Sequence, residues 1–359
     1  MRRANCYLVV ILALTSIAGA VLFFAARPFG STSSDAIFLP FDLRYNGAYK
    51  LHSLPSHGLD ILWIGSSRAA TFRSNAFQPY SFYNMSFTAW TTDQIADVFE
   101  RATRDTKPRV VILSLDYFLF TDAWEQANAG SRTMIYGQTW TYLRSSIADF
   151  LQTALKHPRI LQKALFEAGP FVGTQALLQE EGFRRDGSYQ FSASHIDDAR
   201  QRHQTAETLV QAIPGGTEMS ERQMAAIGRI AEMAKQRGIT LVGVQLPFIR
   251  AGIDYLDHNE SYRDYAGVWR EFESDRNRNR LETLGIRFFD LARSPINDDK
   301  ANFVDSYHVS ELGALRVIQR LLDLPGFRAI FPDIDSVRTE QHVREVTSES
   351  RPALRIGSP

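Results

Sequence analysis

Short apolar runs recur along this chain, each followed by a stretch with helical spacing, and that alternation restricts the fold more than any other feature. The runs are 61–64, 82–84, 110–115, 240–246 and 286–291, and helical patterns begin near Thr91, Met219, Tyr262 and Ser310. Strands separated by helices pair in parallel and bury both faces of their sheet. Val110 to Leu115 is a near-continuous apolar run, broken only by Ser114, which suits a central strand. The expected fold is therefore α/β, a three-layer sandwich with a mostly parallel central sheet.

The 359 residues suffice for one large domain or for a domain carrying a substantial insertion. Formal net charge is zero and no long Lys/Arg tract occurs, so no nucleic-acid partner is expected. The one cysteine, Cys6, excludes an intrachain disulfide and a Cys-based metal site. No histidine spacing suggests a metal centre either, and neither metal nor organic cofactor is expected.

Arg2 and Arg3 precede an almost uncharged apolar run from Cys6 to Ala26. A run of that length can cross a bilayer as a helix, and the leading arginines favour a cytoplasmic amino end. The expectation is one N-terminal transmembrane helix over 1–30 in the inner or plasma membrane, with the soluble domain outside the cytoplasm. The rival reading is a cleaved signal peptide, because Ala18-Gly19-Ala20 is a small-residue triplet. Val21 to Ala26 continue the apolar stretch and argue against cleavage there. Residues 31–58 read as a stalk, 59–328 as the α/β domain with an insertion or lid at about 117–204, and 329–359 as a polar C-terminal tail.

In Asp60-Ile-Leu-Trp-Ile-Gly-Ser-Ser-Arg-Ala-Ala-Thr-Phe72, Ser67 stands where an apolar strand stops, and a turn and helix are expected over 66–77. Such a turn exposes a hydroxyl and directs backbone N–H groups towards a developing oxyanion. The alternative is that Ser66 or Ser67 merely caps the helix. Far along the chain, Asp305-Ser-Tyr-His308 precedes Ser310, a candidate cap of the last helix. In a tight turn Asp305 can hold His308 Nδ1 and leave Nε2 free to take a serine proton. A local cap-and-turn network without catalysis is the alternative there. Arg68 opposes the usual preference for anions at a helix start, so it is expected to clamp Asp116 or an anionic substrate group, unless it faces solvent. Tyr117, Trp124 and Tyr189 are candidate lining residues of a pocket.

With these residues the chain resembles the SGNH/GDSL hydrolase superfamily, particularly its membrane-anchored, exported branch with relatives of alginate O-acetylation and teichoic acid D-alanylation proteins. The similarity covers about residues 58–325 and leaves 117–204 unmatched. Gly65-Ser66-Ser67-Arg68 is similar to the nucleophile block, with serine in place of its aspartate. Asp305-Ser-Tyr-His308 matches the last block, which implies Asp305 as acid and His308 as general base. Tyr83-Asn84-Met85-Ser86 resembles the block whose glycine N–H joins the oxyanion hole, so Ser86 would offer that N–H and Asn84 would tie the loop to the strand. Asp116 stands where the third block normally carries an asparagine.

The resemblance implies a serine-dependent esterase or O-acyltransferase acting on an acylated cell-envelope glycan or polymer through an acyl-enzyme. The membrane, through the N-terminal helix, and a membrane-bound acyl-delivery protein are the implied partners. The alternative is a catalytically degenerate polymer-binding or scaffold protein, which the Ser86 and Asp116 departures favour.

Overall fold

The computed structural model describes residues 46–54, 58–128 and 180–348, with isolated positions elsewhere (15–16, 130, 152, 155–157, 159 and 176). Two compact units divide the chain: Met1–Asp42 with Gln138–Phe183, and Leu43–Gly137 with Arg184–Pro359. Within the first, the described residues include a short strand, Gly182–Phe183. The second holds the five-stranded sheet and every candidate residue.

The sheet strands are β1 (Ile61–Ile64), β2 (Phe82–Asn84), β3 (Val110–Ser114), β4 (Thr240–Gln245) and β5 (Ile286–Asp290). Their spatial order is β2-β1-β3-β4-β5, and all four pairings are parallel. Successive side chains of a strand point to opposite faces, so each apolar run feeds two cores. Ile61, Trp63, Val110, Ile112, Val242 and Val244 enter one core with Leu315, Ile318 and Leu321 of the helix Glu311–Leu322. Leu62, Ile64, Val111 and Leu113 enter the other, against Ile95, Val98 and Phe99 of Thr92–Thr106 and Ile227 and Ile230 of Glu221–Arg237. The result is helix, sheet, helix.

The sheet order reverses direction between β1 and β3. In open parallel sheets the crevice beyond the carboxyl ends at such a reversal is the favoured ligand position. Ser67 follows β1 and Asp116 follows β3, so both lie at the carboxyl ends that flank this reversal, Ser67 partly exposed and Asp116 buried.

Several sequence expectations need correction. Among the described residues no helix is long and apolar enough to cross a membrane. The fold class is thus an α/β domain with a parallel sheet, and the N-terminal transmembrane helix, the membrane partnership and the single-pass localisation built on it are withdrawn. The 6–26 run itself lies outside the described residues, apart from Thr15 and Ser16. The helical patches expected at 142–155 and 160–166 also fall almost wholly outside them.

Where a turn and helix are expected over 66–77 there are two short 3-10 turns, Ser67–Ala69 and Ser74–Phe77, with Arg73 before the second in extended conformation (φ −107°, ψ 154°). The long helix expected over 262–284 is broken at Ser274, whose side chain caps Asp275–Thr283. Beyond Phe331, Ser336–Ser348 is helical.

Candidate active site

β1 ends at Ile64, and Gly65 lets it run closely beside β3: a Cβ on Gly65 would stand 2.5 Å from Ser114 Cβ. Trp63 Nε1 donates to Ser114 Oγ at 2.9 Å just below. The backbone then turns, with Ala70 N–H donating to Ser67 O at 3.0 Å. Ser67 is partly exposed, whereas its neighbours Ser66 and Arg68 are buried. As the first residue of a helical turn, Ser67 keeps its N–H outside the turn's internal hydrogen bonding.

His308 arrives from the loop between β5 and the helix Glu311–Leu322, which Ser310 caps by accepting from Gly313 N at 3.1 Å. The antiparallel bridge Phe303–Val309 closes the loop's base. Asp305 Oδ1 accepts from the N–H groups of His308 (2.7 Å) and Tyr307 (2.9 Å). Its Oδ2 lies 2.6 Å from His308 Nδ1, and His308 Nε2 lies 2.7 Å from Ser67 Oγ. Both side chains of the Asp305–His308 pair are about one-sixth exposed (16% and 15%), so the chain of bonds is shielded without being sealed. Burial alone would raise the Asp305 carboxyl, but the nearby His308 charge and the hydrogen bonds it accepts hold it below the usual aspartate value. A carboxylate on Nδ1 fixes the tautomer that leaves Nε2 able to accept the serine proton.

Arg68 is buried beside Asp116 and is not offered to solvent. Its side chain is 1% exposed and its guanidinium is spent on protein. Nη1 donates to Asp116 Oδ1, Nε to Tyr307 O (3.0 Å), and Nη2 to Leu246 O (3.0 Å) and Pro247 O (2.6 Å). The guanidinium carbon also lies 3.7 Å from the centre of the Phe248 ring. Burial pushes Arg68 down and Asp116 up from their ordinary values, and each is the chief counterweight to the other. A planar fork suits this multidentate role where a lysine would not. Pairing also removes the bare Asp116 charge that would oppose an oxyanion.

Asn84 is spent in the same way. Its Nδ2 donates to the carbonyls of Ala69 (2.8 Å), Ala70 (3.3 Å) and Phe72 (2.8 Å), bracing the serine turn. Its Oδ1 accepts from Ser86 N–H at 2.9 Å and from Ser86 Oγ. The Ser86 N–H expected at an oxyanion is therefore engaged elsewhere. Phe87, next in line, adopts a left-handed backbone (φ 66°), a conformation that costs a bulky residue energy. Its N–H donates to Gly65 O (2.9 Å) and Ser66 O (3.1 Å), which pins this loop to the serine turn. Tyr117 is buried among Phe118, Phe248 and Trp269 instead of lining a crevice, and Trp124 Nε1 donates to Trp90 O. Tyr189 is buried as well.

No family model matches the chain, and no curated protein matches it. With no match behind it and no membrane-crossing helix among the described residues, the resemblance to a membrane-anchored hydrolase branch is withdrawn. What stands is an α/β domain with a five-stranded parallel sheet flanked by helices. No group of metal-ligating side chains occurs among the described residues.

Sequence reasoning missed two contributors. Lys50, on the helix Asn46–Ser53, is fully buried and donates to Asn84 O (3.0 Å) and Ser86 O (2.6 Å). Nothing in its surroundings in the sequence marks it. Asp186 accepts from Ser74 N (2.8 Å), Ser188 N (3.0 Å) and Ser188 Oγ (2.6 Å), and its carbonyl accepts from Asn84 N (2.7 Å). Asp186-Gly187-Ser188 is a recognisable turn sequence, but its docking partner is not legible locally.

Proposed function

We propose that this protein is a serine-dependent esterase or O-acyltransferase. The observation that carries the reading is the alignment of Ser67 Oγ, His308 and Asp305 through contacts of 2.7 and 2.6 Å at the carboxyl edge of a parallel sheet. In the proposed reaction Ser67 Oγ attacks an acyl carbonyl while His308 Nε2 takes its proton and Asp305 orients the ring. The proton then passes to the departing alcohol oxygen. Water or a second hydroxyl takes the acyl group from Ser67, which gives hydrolysis or transfer. The proposed substrate class is an acylated glycan or related polymer, a hydroxyl-rich chain from which an acyl group can be removed or to which it can be passed.

The Ser67 N–H is the backbone donor available to the oxyanion from the nucleophile itself. Loss of one oxyanion donor typically costs about 3 kcal/mol of transition-state stabilisation. The engagement of Ser86 N–H by Asn84 favours the second reading, a binding or scaffold protein with an inactive site. The two readings separate on labelling of the full chain by an activated serine-reactive phosphonate. Wild type should be modified at Ser67, while Ser67→Ala and His308→Ala should not. Modification that persists in Ser67→Ala rejects the nucleophile, and a folded wild type that resists a panel of such phosphonates favours the scaffold.

A further inference from the structure

Residues 184–192 follow a path fixed at several points. Tyr189 N–H donates to Ala70 O at 2.7 Å, tying the segment to the serine turn. Asp186 joins it to Ser74 and Asn84 through the bonds described above. Gly187 (φ +78°) passes so close to β2 that a Cβ there would lie 2.2 Å from Asn84 O. Arg184, buried, pairs with Glu311 at the start of the helix that follows His308. A segment held to both the serine turn and the histidine helix presents its next side chain at a defined place.

That side chain is Phe191, which is half-buried and packs on Ile196, Ala199 and Val304. Its ring centre lies 6.1 Å from that of His308, tilted by 50°, and 5.1 Å from that of the exposed His195. On the proposed reaction, the Oγ–acyl bond forms and the acyl–oxygen bond to the alcohol breaks. The proton that left Ser67 goes from His308 Nε2 to the departing oxygen, so the alcohol must stand beside this imidazole. The acyl chain extends from the other side of the carbonyl carbon.

We propose that Phe191 is a specificity-determining residue for the alcohol side of the substrate, favouring a ring-bearing alcohol, whose flat apolar face can rest on the phenyl ring, over a small linear one. The inference rests on the esterase reading. Its test uses two ester series on the full chain, one varying the alcohol (cyclohexylmethyl against ethyl acetate) and one varying the acyl group (ethyl acetate against ethyl butyrate). Phe191→Ala should lower the ring-over-linear ratio of kcat/KM by about fivefold, the scale of one aromatic contact. The acetate-over-butyrate ratio should stay unchanged. Phe191→Leu, which keeps the packing on Val304, should lower the first ratio in the same direction and serves as the deciding variant if Phe191→Ala unfolds. Ratios that move together, or that both stay at the wild-type value in a folded variant, overturn the proposal. A wild type that neither turns over these esters nor reacts with phosphonate at Ser67 overturns the esterase reading itself, and with it this one.

Discussion

Arg68 Nε donates to the carbonyl oxygen of Tyr307 at 3.0 Å, a bond from the residue after Ser67 to the residue before His308. The same guanidinium holds Asp116 at the end of β3 and the carbonyls of Leu246 and Pro247 beyond β4. One side chain therefore fixes the relative positions of three sheet-end segments and the histidine loop. The distance between Ser67 and His308 follows from this bracing as much as from their own contact.

Removing Arg68 alone would strand a buried carboxylate. Arg68→Met and Asp116→Leu should each cost about 3–5 kcal/mol, since breaking one side of a buried pair leaves an uncompensated charge. The double variant Arg68→Met/Asp116→Leu should cost well under the sum of the two. Urea unfolding of the four proteins measures this, and strictly additive losses would show that the pair shares no interaction.

Asn84 explains why the sequence misleads between 66 and 77. A continuous helix would give the carbonyls of Ala69, Ala70 and Phe72 to its own N–H groups, yet Asn84 Nδ2, from β2, donates to all three and Tyr189 N–H also donates to Ala70 O. Local propensity cannot register a competitor that arrives from another strand. Asn84→Ala should therefore destabilise the domain by about 2–4 kcal/mol, the scale of several buried carbonyls losing a donor. Chemical denaturation checks the cost, and a loss under about 0.5 kcal/mol would mean water replaces the amide freely.

What the sequence makes legible is local or periodic. β1, β3 and β4 are short, nearly continuous apolar runs, as strands buried on both faces require, and the parallel arrangement follows from the helices between them. Asp305 and His308 are close enough in sequence for a turn to pair them. By contrast, the use of Ser86 N–H by Asn84 depends on how a three-residue strand ends, and the role of Lys50 depends on a helix packing from outside the alternating region. These are tertiary competitions for backbone groups, without a periodic signal.

The lowered value of Asp305 carries a pH signature. A carboxyl depressed on folding contributes stability above its unfolded value, about 3.9, and loses it as pH falls through the folded value. Wild type should exceed Asp305→Asn in unfolding free energy at about pH 5, above the unfolded value. The margin should shrink below about pH 4 as the wild-type carboxylate is protonated. Denaturation curves at stepped pH test this, and a margin that grows on acidification contradicts the assignment.

Lys50 gives the opposite arm of the pH range. Burial pushes its ammonium well below the ordinary lysine value, with Asp186 opposing. Its folded form binds a proton less readily than the unfolded chain, which still titrates near about 10.4. Between the folded value and that limit, the unfolded state holds more protons, so stability must rise with pH. Lys50→Met lacks this contribution while keeping most of the buried stem. It also deprives the carbonyls of Asn84 and Ser86 of their donor, which should cost about 1–3 kcal/mol, offset in part by the absence of a buried charge. Relative to Lys50→Met, the wild type should therefore gain stability as pH is raised from 7 towards 10. Parallel urea titrations at pH 7, 8.5 and 10 measure the difference, and a constant gap across that range would place the Lys50 ammonium in contact with solvent.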